Sequence, residues 1–567
     1  MLGGMLGGGL LGSDVAVLCL GARVEGRDFL IPALLSKGLC TRLANGASTQ
    51  ASTGFPSLRP RSNLQRRYPM CPKKSTRPVW VALLVVSAAT WIACNKSGNH
   101  VAASSDGGKI PVTTSSEEAR KEFLTGRDLS ERLLGQESLQ HFDKALALDP
   151  EFATAELGRA NNSPTTKEFF EHQKKAVSLA SKTSNGEKLL ILANEAGANG
   201  VTEIQKEYLD QLVTAYPNDE RAQFTMGNYY FGQQELDQAL THYKKAAELA
   251  PNYSQVYNLL GYCYRQKGDY ANSEQSFKKY IELIPNDPNP YDSYAELLLK
   301  MGRYDESIAQ YRKALSIDPH FNPSRFGISA DYMYSGKLQD AAAELQTMAD
   351  QARNDGELRT AFFGMAVLAA DSGKLDQALA AMDKEFAVAE KKGDKASMAA
   401  DLQAKGNILQ QMQKYDAAAK EFDHSLQLVE DSNLSQELKN NATLLHHFNA
   451  AAVAIGKKDL AAAKTHAEEF RKGAEATKND AQIKQAHELA GRIALAEKDY
   501  GKAIAELAQA NQQNPQNLYR LSQAYRGLAD TAKAQDYLKK AADFNSLPAL
   551  NYAFIRAKAQ KEVGQKG

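Results

Sequence analysis

The chain has 567 residues, 43 % hydrophobic and 24 % charged, which is ordinary for a soluble protein and excludes both wholesale disorder and a polytopic membrane protein. Charge is uneven: residues 1–69 carry net +5, residues 70–93 net +3 and the remainder net −7. An acidic body lacks the basic stripe that nucleic-acid binding requires, so no nucleic-acid partner is expected. The five cysteines include no CxxC pair, which excludes a zinc knuckle.

Residues 1–69 are rich in Gly, Ser and Arg and show no sustained period; they are expected to be a non-native extension or disordered, with the functional start at Met70. Residues 70–93 follow the plan of a signal peptide. Lys73, Lys74 and Arg77 form a basic stretch, and residues 79–93 are mostly apolar. As a helix this run spans about 22 Å, less than a bilayer core of about 30 Å. It ends in Trp91-Ile92-Ala93-Cys94, which resembles the lipobox of bacterial lipoproteins, with Trp91 in place of the usual Leu. The resemblance implies lipidation of Cys94, anchoring by acyl chains, and outer-membrane sorting, because Asn95 rather than Asp follows. Residues 94–116 are polar and small, and are expected to form a flexible tether of roughly 25 Å reach.

From residue 117 the chain is periodic. Gly227 and Gly261 lie 34 apart, as do Tyr230 and Tyr264; Tyr243, Phe277 and Tyr311 step by 34, and so do Pro251, Pro285 and Pro319. These columns resemble the tetratricopeptide repeat family, in which small residues at positions 8 and 20 admit close helix approach, large ones fill the gap, and Pro at 32 ends the second helix. Gly126, Ser138, Phe142, Ala145 and Pro150 extend the register backwards; residues 153–184 are a shortened unit. Beyond about Gly356 the position-20 alanines (Ala378, Ala418, Ala462, Ala503) stand 40, 44 and 41 apart, so longer helices are expected. The resemblance implies an all-α, right-handed superhelical solenoid of about ten to eleven helix pairs. A 34-residue array covers 117–355, and longer repeats with a basic C-terminal capping helix cover 356–560.

In this family the concave groove is the usual working surface, lined from the first helix of each pair. At the matching positions stand Arg221, Phe224, Asn228, Phe231 and Gly232, then Gln255, Asn258, Tyr262, Arg265 and Gln266, then Asn289, Asp292, Glu296, Leu299 and Lys300. Arg221, Phe224, Asn228, Phe231, Asn258, Tyr262, Arg265, Asp292 and Glu296 are the expected partner contacts. Amides there suit a peptide backbone, and aromatics suit anchoring pockets. Tyr262 is expected to be a groove residue whose alanine variant loses partner affinity and little stability, in contrast to a core aromatic such as Tyr264. Phe224 stands where chaperone-binding members carry Lys, which argues against capture of a chaperone tail. The other aromatics fall at consensus core positions, and Cys263 reads as a packing residue.

Catalytic motifs are missing. There is no G-x-x-x-x-G-K-[ST], and the single G-x-G-x-x-G (Gly7, Gly9, Gly12) has no βαβ context. His487-Glu488 lacks the second histidine of a zinc protease, since Gly491 stands there, and His446-His447 project about 100° apart on a helix. No cofactor, metal site or enzymatic activity is expected. The expectation is a membrane-tethered protein-interaction scaffold of the bacterial envelope that binds peptides or helices, with a cytosolic regulatory adaptor as the alternative.

Overall fold

The computed structural model describes residues 108–564, which contain twenty-five α-helices and no strand. The expected extension, the leader and Cys94 lie outside the described residues. The first seven antiparallel pairs are α1 (Glu117–Glu131) and α2 (Gly135–Leu148), α3 (Ala153–Asn161) and α4 (Thr166–Leu179), α5 (Asn185–Ala198) and α6 (Thr202–Ala215), α7 (Glu220–Gly232) and α8 (Leu236–Leu249), α9 (Ser254–Gln266) and α10 (Tyr270–Leu283), α11 (Pro288–Lys300) and α12 (Tyr304–Ile317), α13 (Asn322–Tyr334) and α14 (Leu338–Asp350). Five more follow: α15 (Asp355–Asp371) and α16 (Leu375–Lys392), α17 (Lys395–Gln411) and α18 (Tyr415–Glu430), α19 (Gln436–Gly456) and α20 (Leu460–Thr477), α21 (Asp480–Glu497) and α22 (Tyr500–Leu507), α23 (Pro515–Gly527) and α24 (Thr531–Ala542). A closing helix, α25 (Leu550–Gly564), completes the array. The array therefore holds twelve pairs, more than the ten to eleven expected. The excess comes from weakly marked units, such as the pair that begins with the nine-residue α3.

Local chemistry explains the pairs. A small residue on the first helix faces an aromatic sixteen residues on. A Cβ at Gly227 would stand 2.5 Å from the Tyr243 ring, and one at Gly406 would stand 2.3 Å from Phe422, so only glycine admits the ring. Tyr243, Phe277 and Tyr311 are completely buried this way. The serines at position 20 return hydrogen bonds to the facing backbone: Ser273 Oγ donates to Gly261 O at 2.7 Å and Ser307 Oγ to Ala295 O at 2.8 Å. Asp219, Asp287, Asn354 and Asn514 cap first helices by accepting from backbone N–H groups. From Asp355 the helices lengthen, reaching 21 residues in α19, yet α14 packs directly on α15.

The pairs wind into a turn of about seven, and successive turns touch. The second pair meets the ninth, where Thr166 N donates to Asp394 Oδ2 at 3.2 Å. The third meets the tenth, where Ser435 Oγ donates to Asn199 Oδ1 at 2.7 Å, and the fourth meets the eleventh, where Lys484 Nζ reaches Gln233 O at 3.4 Å. The seam is partly apolar: Phe169, Phe170 and Ala198 share a core with Ala399, Val429 and Leu438.

Two end segments depart from expectation. Residues 109–116, read as part of a flexible tether, are docked across the starts of α3, α5 and α7. Ile110 N donates to Asp219 Oδ2 at 2.9 Å, Thr113 N to Glu187 Oε1 at 2.8 Å and Thr114 Oγ1 to Asp149 Oδ2 at 2.6 Å. At the other end, α25 is more than a cap on its neighbour. Tyr552, Ile555 and Ala559 pack on the α23–α24 core, while Leu550 and Ala553 pack on Ala366, Val367 and Ala370 of the previous turn.

Candidate partner-binding groove

The first helices of the pairs form the inner face, and the fold divides the nine expected contacts into two groups. Arg221, Phe224, Asn228 and Phe231 on α7 keep some exposure. Asn228 is exposed, with its Oδ1 accepting from the Tyr243 hydroxyl at 2.9 Å, and a Cβ on the adjacent exposed Gly232 would meet nothing within 4 Å. Phe224 lies 5.3 Å edge-on to Tyr253. Arg221 is bridged across the inside of the turn to Glu131 at 2.9 Å, and pairs with Glu220 at 2.8 Å. Burial pulls its guanidinium down, but Glu131, Tyr253 and Glu220 outweigh that and hold it above its usual value.

Asn258, Tyr262, Arg265, Asp292 and Glu296, by contrast, are buried. This corrects the expectation for Tyr262: its ring is 2 % exposed, and Phe277 stands edge-on to it at 5.2 Å. The Tyr262 hydroxyl donates to Glu296 Oε1 at 3.0 Å, and Arg265 Nη1 donates to Glu296 Oε2 at 3.0 Å. Ser324 Oγ donates to Asp292 Oδ1 at 2.7 Å. Burial raises the Asp292 and Glu296 carboxyls, with Glu296 adding to the rise at Asp292 and Arg265 opposing it at Glu296. A buried pair of this kind is a structural commitment, because removing one partner strands the other charge.

Neighbouring repeats supply the partners of these side chains, and further along the array the chain folds back on itself. Residues 544–556 cross the ends of α11, α13 and α15. Lys300 Nζ lies 4.0 Å over the Phe544 ring, Tyr304 OH donates to Asn545 Oδ1 at 3.1 Å and Tyr334 OH to Ser546 O at 2.6 Å. Arg556 Nη1 pairs with Asp371 Oδ2 at 3.1 Å and its Nη2 donates to Tyr334 O at 3.1 Å. Burial, with Arg265 nearby, brings Lys300 down to about 8. The signal was present in the sequence: Leu550, Tyr552, Ala553, Ile555 and Ala559 place apolar groups around more than one face of α25, the mark of a helix covered on both sides.

Tyr243, Tyr280 and Tyr311 are core, but Tyr257 and Tyr291 lie nearer the surface, with hydroxyls donating to Pro251 O and Pro285 O. Cys263 is buried, donates to Leu236 O at 3.3 Å, and is pushed up to about 12 by burial, as a packing thiol should be. His446 and His447 diverge, but His447 Nδ1 comes within 3.1 Å of His466 Nδ1, a residue that reading along one helix misses. The same nineteen-residue step joins Glu122 to His141, Gln223 to His242 and His487 to Glu506, so the contact belongs to a polar slot shared by several pairs. Among the described residues no group of three or more His, Cys, Asp or Glu is placed to hold a metal.

Family models described as tetratricopeptide repeats match residues 224–288, 288–321 and 515–546. This chain is a tetratricopeptide-repeat protein. The repeat helices outside those stretches share the same pairing, including α17 and α18 with their Gly406–Phe422 contact. No curated protein matches the chain. Among solved structures it is similar to PilW, a type IV pilus biogenesis factor, at 20 % identity over 39 % of this chain and 96 % of that one, with a TM-score of 0.28. It is similar to YrrB, a tetratricopeptide-repeat protein with an unusual peptide-binding site, at 20 % identity over 32 % and 91 %, TM-score 0.23. It is also similar to a tetratricopeptide-repeat protein from Parabacteroides merdae, at 15 % identity over 46 % and 99 %, TM-score 0.32.

Proposed function

We propose that this tetratricopeptide-repeat protein is a protein-interaction scaffold of the bacterial envelope, anchored through a lipid on Cys94, and that it holds an extended peptide or helix of its partner on the inner face of α7. The work is binding rather than catalysis, in assembly of outer-membrane, pilus or polysaccharide-export machinery. The observation that carries the binding mode is the cis contact at residues 544–556: a non-helical stretch followed by a helix already lies against the C-terminal ends of α11, α13 and α15. Phe224, Asn228, Phe231 and Gly232 on α7 keep exposure and are open to a partner. Amide and aromatic groups there suit a chain with both backbone and apolar side chains to offer.

Gly232→Trp tests the groove, because space is open at that position. It should reduce affinity for a co-purified partner at least tenfold and leave the urea midpoint unchanged or slightly higher. Unchanged affinity would reject the site. Intact-mass spectrometry of the membrane fraction tests the anchor. A chain starting at Cys94 with added acyl mass is expected; an unprocessed chain without lipid would reject the lipid anchor and leave a retained signal anchor or the cytosolic adaptor.

A further inference from the structure

Two turns of the superhelix enclose a cavity of about 230 Å³. The α1–α2 and α3–α4 turns wall one side; the start of α13, the α14–α15 loop and parts of α15, α16 and α17 wall the other. It lies apart from the α7 groove and uses none of the groove residues.

Its charge is unbalanced. Six carboxylates line it against three bases, and every base is already committed. Arg353 pairs with Glu357 at 2.8 Å and Glu137 at 3.1 Å, and Lys392 pairs with Asp355 at 3.2 Å. Arg359 pairs with Glu385 at 3.2 Å and with Asp401, just behind the wall, at 2.7 Å. Asp318 and Asp394 have only backbone and hydroxyl donors, from His320 N, Ser397 and Thr166 N. The exposed His320 ring stands at the rim. Both Asp401 oxygens accept from Arg359, at 2.7 and 2.8 Å, whereas Glu385 Oε2 has no hydrogen-bond partner. Asn322 also lines the cavity. It is 2 % exposed, and neither its Oδ1 nor its Nδ2 has a hydrogen-bond partner. Buried amides are almost always satisfied, so an orphaned carboxamide on a cavity wall marks a place for a ligand.

We propose that this cavity binds a small organic cation, an ammonium or guanidinium group, recognised by Glu385 and Asn322. The cation neutralises the carboxylate excess. Its N–H groups donate to Glu385 and to Asn322 Oδ1.

Calorimetric titration of the full chain with agmatine, spermidine and N-acetyl-arginine amide at pH 7 tests this. Saturable one-to-one binding of agmatine is expected, with a rise in melting temperature that potassium chloride of equal ionic strength does not give. Glu385→Gln and Asn322→Ala, each checked by circular dichroism, should weaken binding at least tenfold. Binding of agmatine alone assigns the site to a free amine; equal binding of the arginine amide assigns it to an arginine side chain of a protein. No saturable binding of any probe up to about 10 mM would overturn the proposal and leave a water-filled space. So would binding that both variants leave unchanged.

Discussion

Replacing Tyr262 with alanine separates a groove residue from a core residue. The ring is 2 % exposed, Phe277 stands 5.2 Å away edge-on and the Arg265 guanidinium 4.6 Å over its face. Truncating a buried aromatic costs about 3–5 kcal/mol through lost contacts and the cavity left behind. The hydroxyl's bond to Glu296 Oε1 adds about 1–3 kcal/mol, because a buried carboxylate oxygen loses its donor. Tyr262→Phe isolates that second part and should lose about 1–3 kcal/mol alone. Solenoid stability is nearest-neighbour, so the loss should concentrate in α9–α12. Urea unfolding followed by far-UV circular dichroism gives the total, and amide hydrogen exchange locates it. A loss below about 1 kcal/mol, unchanged exchange in α9–α12 and a fall in partner affinity would refute the reasoning and restore Tyr262 to the working surface.

Further expectations follow from turns and buried acids. Gln234 and Ala529 sit at φ +62° and +59° in helix–helix turns, where a side chain costs about 1–2 kcal/mol and glycine's extra unfolded-state entropy returns about 0.5–1 kcal/mol. Gln234→Gly and Ala529→Gly should therefore each stabilise the chain by up to about 1 kcal/mol, read from the urea midpoint. Asp331 is completely buried, and burial raises its carboxyl to about 8. The native state then holds a proton that the unfolded chain releases near pH 4, so stability falls as pH rises from about 4 to 8, by up to about 1.4 kcal/mol per pH unit, and levels off above. Asp331→Asn should flatten that slope and raise stability at pH 8, measured as urea midpoints across the range.

The repeat architecture was legible because it is local. The sixteen-residue step from Gly227 to Tyr243 and from Gly261 to Phe277 is a packing contact within one pair, and each recurrence 34 residues on repeats the same contact. The groove was half legible. Position numbers place Asn228 and Tyr262 alike on the inner face, but exposure there depends on what the superhelix brings opposite. Ser546 meets Tyr334 from 212 residues away, and Glu131 meets Arg221 from 90; neither separation leaves a period in the sequence. The docking of residues 109–116 was hidden for the same reason, since its acceptors Asp149, Glu187 and Asp219 lie 35, 74 and 109 residues further along the chain. The cavity escaped notice because its walls come from two turns.

The central claim is that the chain fills its own groove over α11–α15 and leaves α7 to a partner. Site-specific photo-crosslinking in cells tests it directly, with p-benzoylphenylalanine placed at Asn228 or at Tyr304 of the full chain and adducts identified by mass spectrometry. Tyr304 should give an internal adduct with the segment around Asn545, and Asn228 an adduct with another protein that an exposed position on α8, Thr241, does not give. A foreign protein captured from Tyr304, or no foreign adduct from Asn228, would contradict the account.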